Sequence, residues 1–280
     1  MNRPHPSIAV LAAALVTFAA TVAEAKPRMP ASNSLHQVGI GPGALVPYIT
    51  LISADFEVAE GFTLAPLHGQ NGCQTSGPNF AWASVSNVHP ATGAQHLRII
   101  RDGTFDGGSP RLALTSPTGL GPYSPTTTTQ LISISNDGGA DYHVVGQTPS
   151  QNLIAWHVAF SFSDDTGFGP GTIYIVHDFG GELDFLNTHA RWTQGTHVQL
   201  KVQFDPPAQQ IRYYYGGRLI HTGTIFAATT VEQVVWISDN WQLAGEYADI
   251  DQLTLIDVAT DPTDAERSSW GRIKAAYHQP

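Results

Sequence analysis

The stretch Asn152 to Ser163, NLIAWHVAFSFS, decides the fold class. Ile154, Trp156, Val158, Phe160 and Phe162 fall on alternate positions, with Ala155, His157, Ala159 and Ser161 between them. Successive side chains of a strand point to opposite faces, so a period of two in large apolar residues marks a strand with a buried face. The same reading extends outward. Val198, Leu200, Val202 and Phe204 alternate with His197, Gln199, Lys201 and Gln203, and Asp205-Pro206-Pro207 ends the run because proline cannot donate to a ladder. Ile211 to Tyr215 meets Gly216-Gly217, the residues of a two-residue hairpin turn, and the chain returns over 218–221. Further strand-like runs lie at 51–57, 95–101, 130–135, 172–178, 182–186, 231–238 and 250–258, and the Pro/Thr/Gly-rich segment 116–129 reads as a long loop. Only the end departs from this pattern. Asp261 can cap a helix with Pro262 at its first position, and Trp270, Ile273 and Tyr277 recur at helical spacing. The prediction is an all-β antiparallel sandwich over 51–260, followed by a short C-terminal helix over 261–280.

Composition agrees. Charged residues make up 13% of the chain, and 27 glycines and 19 prolines supply turns for many short strands. The formal net charge of −10, with 13 scattered Lys and Arg, gives no cationic surface for nucleic acid. At the N-terminus, Arg3 precedes an apolar run from Ile8 to Ala20, and Ala23-Glu24-Ala25 has the small-x-small form of a cleavage site. That order predicts a secretory signal peptide over 1–25, and a run this short is a poor bilayer span. No later stretch is apolar enough to cross a membrane, so the expected location is extracellular, periplasmic or cell-surface. Residues 26–50 read as an extended leader. Cys73 is the chain's one cysteine, which excludes an internal disulfide, and nothing beside it supplies a base; it reads as a buried, inert thiol.

Two regions resemble the concanavalin A-like lectin and glucanase superfamily. Asp55-Phe56-Glu57, Gly61-Phe62 and His68-Gly69-Gln70-Asn71-Gly72 are similar to the opening "FE…GQNGW" of secreted bacterial jelly-roll domains, with Cys73 in place of Trp. Thr196 to Asp257 resembles their strand, hairpin and closing strand, with Gly216-Gly217 replacing the usual Asp-Gly. The resemblance implies a jelly-roll sandwich.

Within that family, laminarinase- and lichenase-type hydrolases carry Glu-x-Asp-x-x-Glu on one strand: nucleophile, tuning acid and acid/base. Here Glu182 and Asp184 match, but Asn187 stands at the acid/base position, and an amide cannot donate and recover a proton. The alternative is that Glu182 and Asp184 are solvent-facing strand residues after the Gly180-Gly181 turn. Sugar binding needs aromatic platforms beside hydrogen-bonding groups, and the candidates are Asn187, Trp192, Tyr214, Asp239, Asn240 and Trp241, with Trp241 foremost because it sits in a polar loop. Trp156 and Trp236 read as core. Asp164 and Asp165 could contribute to a structural Ca²⁺ site, although neither has the dense spacing of a calcium loop. The functional expectation is a secreted, lectin-like protein that binds a polysaccharide without cleaving it. The alternatives are a glycoside hydrolase or polysaccharide lyase acting through Glu182, and an adhesion domain without a small ligand.

Overall fold

Alternation turns one set of side chains from each strand toward a partner layer, and the partner layer is a second sheet. A computed structural model describes residues 48–103, 110–119, 125–135, 139–161, 168–178, 183–225 and 228–258. In chain order the strands are Tyr48–Ala54 (β1), Gln74–Thr75 (β2), Ala83–Ser86 (β3), His96–Ile99 (β4), Arg111–Leu114 (β5), Thr126–Ile134 (β6), Tyr142–Thr148 (β7) and Leu153–Ser161 (β8). They continue with Thr172–Asp178 (β9), Leu183–Arg191 (β10), Val198–Asp205 (β11), Gln210–Tyr215 (β12), Arg218–Thr224 (β13), Gln233–Ser238 (β14) and Ala248–Val258 (β15). Three single-turn 3₁₀ segments are the other regular elements among the described residues. The expected signal peptide, nearly all of the leader and the C-terminal helix lie outside the described residues.

The first sheet has the order β13-β12-β11-β6-β15-β4-β3, with β1 pairing the far half of β15. The second has the order β10-β9-β8-β7-β14-β5-β2. Every strand pair is antiparallel. The molecule is therefore an all-β sandwich. Its core lies between the sheets and holds Trp156, Val158, Phe160, Trp236, Ile173 and Ile175 from the second sheet against Ile132, Leu200, Val202, Phe204, Tyr213 and Leu255 from the first. Among the described residues, no helix is long and apolar enough to cross a membrane.

The local chemistry explains the joints. Gly216 and Gly217 have φ of 57° and 76°, the left-handed pair that a tight hairpin with matching twist requires. The family-like opening motif is a structural knot. Gln70 accepts from the Thr63 N–H at 2.7 Å and donates to the carbonyls of Ala65 and Pro66. Asn71 donates to the Glu60 carbonyl, and Glu57 accepts from the N–H groups of Ala94 and Gln95. Cys73 is fully buried, and burial pushes its thiol up to about 12.

Two expectations need correction. Thr126 to Thr129 belong to β6 and not to a loop: threonine is β-branched and fits a pleated surface, and Thr126, Thr128 and Gln130 point inward, where Gln130 accepts from the Trp236 indole N–H at 2.9 Å. In β8 the register slips between Gly146 and Gln147 of β7, so one extra residue is accommodated. Trp156, Val158 and Phe160 face the core as read, but Ala155 joins them there and Ile154 turns to the opposite face.

Candidate functional site

The second sheet has an outer face, turned away from the core, whose rows follow from the register. One row runs Leu112, Ile237, His143, Ala159, Tyr174, Asn187, and the next contains Leu114, Val235, Val145 and His157, with Val176 and Phe185 paired beyond them. Among the described residues no strand crosses this face, because all fifteen lie in the two sheets. Its central residues are nevertheless buried: Val145, Val235, Ile237 and Ala159 are at 0% exposure. Apolar side chains on β5, β7 and β14 give way to polar and aromatic ones on β8, β9 and β10.

At the centre, His143 Nδ1 lies 2.8 Å from His157 Nε2, one imidazole N–H donating to the other ring. Two protonated rings could not share such a contact, and burial holds both neutral: the His143 imidazole is pushed down to about 4, and burial together with His143 pushes His157 well below the usual range. Tyr174 stands edge-on to His143, with ring centroids 6.3 Å apart, and packs against Phe168 at 6.2 Å and Phe185 at 6.0 Å. Phe168, Phe185 and Asn187 are half-exposed.

Toward the end of the sheet where β14 finishes and β7 begins, Asp141 and Asp239 face one another. Burial, and then the Asp141 charge, raises the Asp239 carboxyl well above the usual range, while the Trp241 N–H donates to Asp239 Oδ1 at 3.1 Å and opposes the rise. Ser161 donates toward Asp141 at 3.4 Å, and Trp241 borders the cluster half-exposed. Across this face the arrangement offers stacking surface and an amide at β9 and β10, and a hydroxyl and carboxyl groups toward β8, β7 and β14. Those are the groups that hold a polyhydroxylated ring by stacking and hydrogen bonding.

The sequence-derived candidates are dispersed by the fold. Glu182, Asp164 and Asp165 lie outside the described residues. Asp184 and Asn187 are both on β10, an edge strand, and the register of β10 against β9 stays regular from Leu183 to Asn187. The bulge comes only after Asn187, so the two side chains point to opposite faces. Asp184 is exposed opposite His177, on the face that carries Leu186 to the core; there His177 and His221 have ring centroids 5.9 Å apart. Trp192 is a core residue at 6% exposure, its indole N–H donating to the Ser161 carbonyl at 3.4 Å. Asn240 is buried in a backbone latch, accepting from the Asp102 N–H at 2.7 Å. Tyr214 lies half-buried on the outer face of the first sheet, its hydroxyl donating to Gln203 and Lys201 Nζ 4.3 Å above its ring. Asn187 on β10 and the Asp239–Trp241 pair beyond β14 belong to the same sheet, with β9, β8 and β7 between them.

Sequence reasoning missed His143, Tyr174, Asp141, Phe168 and Phe185. A signal existed for His157, which occupies the non-core side of the most regular strand. None existed for His143, because its strand, YHVVGQT, has no clear alternation and follows the polar, turn-forming segment Asn136-Asp137-Gly138-Gly139. Among the described residues, no three His, Cys, Asp or Glu side chains cluster closely enough to hold a metal ion.

No protein-family model and no curated protein matches the chain. Solved structures do. A sialidase aligns at 11% identity over 84% of this chain and 22% of its own, with a TM-score of 0.47. The binding domain of botulinum neurotoxin serotype G aligns at 8% identity over 75% of this chain and 50% of its own, with a TM-score of 0.45. The binding domain of a paraclostridial mosquitocidal protein aligns at 12% identity over 78% of this chain and 51% of its own, with a TM-score of 0.46. The chain thus spans about a fifth of the first and about half of the other two. The sandwich architecture itself stands on the chain's own strand pairing.

Proposed function

We propose that the chain is a secreted glycan-binding protein of the concanavalin A-like kind, without hydrolytic activity, and that it binds through the outer face of its second sheet. One observation carries the reading: half-exposed Phe168 and Phe185 pack on Tyr174 beside Asn187 at the β9–β10 side of the sheet, and Asp141, Asp239 and half-exposed Trp241 lie at its β7–β14 side. Secretion is supported by the order of basic residue, apolar run and Ala23-Glu24-Ala25. The absence of hydrolysis is supported by Asn187, which puts an amide where the acid/base carboxyl would stand, and which points to the face of β10 opposite Asp184.

Affinity electrophoresis against β-glucans, xylan and alginate tests the proposal. Phe185→Ala and Trp241→Ala should each weaken binding about twofold to tenfold, in line with a lost aromatic contact of about 0.5–1.5 kcal/mol. Tyr214→Ala, on the other sheet, should leave it unchanged. Equal losses in all three variants would remove the assignment to this face. Reducing-sugar release that disappears in Glu182→Gln would replace the reading by hydrolysis.

A further inference from the structure

A separate cavity of about 310 Å³ opens on the outer face of the first sheet, against the β3 edge. Ser84, Arg98 and Asp249 are directly opposite one another across β3, β4 and β15, which places them in one row. Ser84, Ser86, Asn87 and Arg98 line the cavity together with Leu64 and Ile100. Leu64 is 54% exposed and Ile100 is 40% exposed, large apolar side chains left at the mouth of a polar hollow.

Arg98 is held rigidly. Its Nε and Nη2 donate to the two Asp249 oxygens at 2.7 Å each, Nη2 also reaches the Val88 carbonyl at 2.9 Å, and its guanidinium stacks 4.1 Å above the Tyr247 ring. Those bonds occupy Nε and Nη2 and leave the two N–H groups of Nη1 for a ligand. A fork fixed by its partners loses little freedom on binding. The Asp249 carboxylate balances the guanidinium charge, and the chain as a whole is at −10. An anion would therefore gain little here. A neutral acceptor suits the site: Ser84 Oγ, which donates to the Ala81 carbonyl at 2.8 Å, keeps an acceptor, Ser86 Oγ, which accepts from the Val88 N–H at 3.2 Å, keeps its donor, and with the unspent N–H groups and the exposed Asn87 amide they meet adjacent sugar hydroxyls, while Leu64 and Ile100 can cover a C–H face.

We infer that this cavity is a second carbohydrate site, sized for a single neutral sugar ring and distinct from the outer face of the second sheet. The inference rests on the glycan-binding reading but not on the location given there. The test is amide and Arg Nε–H chemical-shift mapping on the full chain, titrated with cellobiose, maltose and lactose, and in parallel with glucuronate. Saturable shifts at residues 84–88 and at Arg98 Nε–H are expected with at least one neutral disaccharide. They should weaken by about threefold to tenfold in Leu64→Ala, whose side chain is more than half exposed, disappear in Ser84→Trp, and persist in Phe185→Ala. Shifts confined to the outer face of the second sheet would overturn this site and leave glycan binding standing. Shifts confined to residues 84–88 and Arg98 would uphold this site and remove the other. No shift anywhere with any neutral sugar would overturn both, and tighter binding of glucuronate at Arg98 would overturn the neutral-ligand assignment.

Discussion

At the scale of single residues, the large aromatics decide most of the core, and their placement follows from alternation. Trp156 and Trp236 are buried as their strands imply, and of Tyr213, Tyr214 and Tyr215 only the middle ring leaves the core side. Trp192 is buried without any such pattern. Its neighbours Arg191, Thr193 and Gln194 are polar, yet it follows the edge strand β10 and folds inward under Ser161; the loop geometry that sends it there has no period to read. Gly146 has a hidden role of the same kind. A Cβ added there would lie 2.3 Å from the Cε2 and Nε1 atoms of Trp156, so the indole lies across β7 only because position 146 carries no side chain. Gly146→Ala should destabilise by about 1–3 kcal/mol through overpacking. Trp156→Ala should cost about 3–5 kcal/mol. Urea denaturation of the double variant should show less than the sum, because once the indole is gone the added methyl enters vacated space. Strict additivity would show that the two positions do not meet.

At the scale of elements, β7 and β8 together create what neither announces alone. Each carries one histidine on its outer face, and the register brings a nitrogen of each ring to 2.8 Å from the other. Both folded-state pKa values lie below the ordinary value of about 6.5. The unfolded chain therefore takes up protons first as pH falls, so the stability linked to this pair is complete above about pH 6.5 and is lost on descent toward pH 4. Between pH 7 and 4.5 the loss should be seen as a falling urea midpoint. In His143→Gln/His157→Gln the slope over that window should flatten; an unchanged slope would place the titrating groups elsewhere. The strands themselves were legible in most cases: β9, β11, β12 and β14 are close to their sequence boundaries. The bulges were not. One residue in β8 sends Ile154 to the outer face, and the bulge in β10 falls after Asn187 instead of before it, which separates Asn187 from Asp184. A bulge is set by the partner strand as much as by its own residues, so a single run does not reveal it.

At the scale of the whole molecule, the order of strands within each sheet is where the sequence is silent, since alternation gives a strand's faces but not its neighbours. The short strands β2, β3 and β5 and the outer-face cluster around His143 depend on that order. β15 is the clearest case: it lies between β6 on one side and both β4 and β1 on the other, with Tyr48 opposite Val258 and Ala54 opposite Leu253. Pairings between the two ends of a chain close long loops and are slow to form. Stopped-flow refolding should therefore run on the order of seconds, and a chain ending at Glu246 should show no cooperative unfolding transition; a sharp transition in that truncation would show that the sandwich closes without its central strand. The position of β15 also sets a clock on biosynthesis. At about 5–20 residues per second, roughly 10–40 s separate the emergence of β1 from that of its partner at the ribosome. Throughout that interval the first sheet lacks its middle, and any machinery that threads an unfolded polypeptide has until residue 258 to engage it.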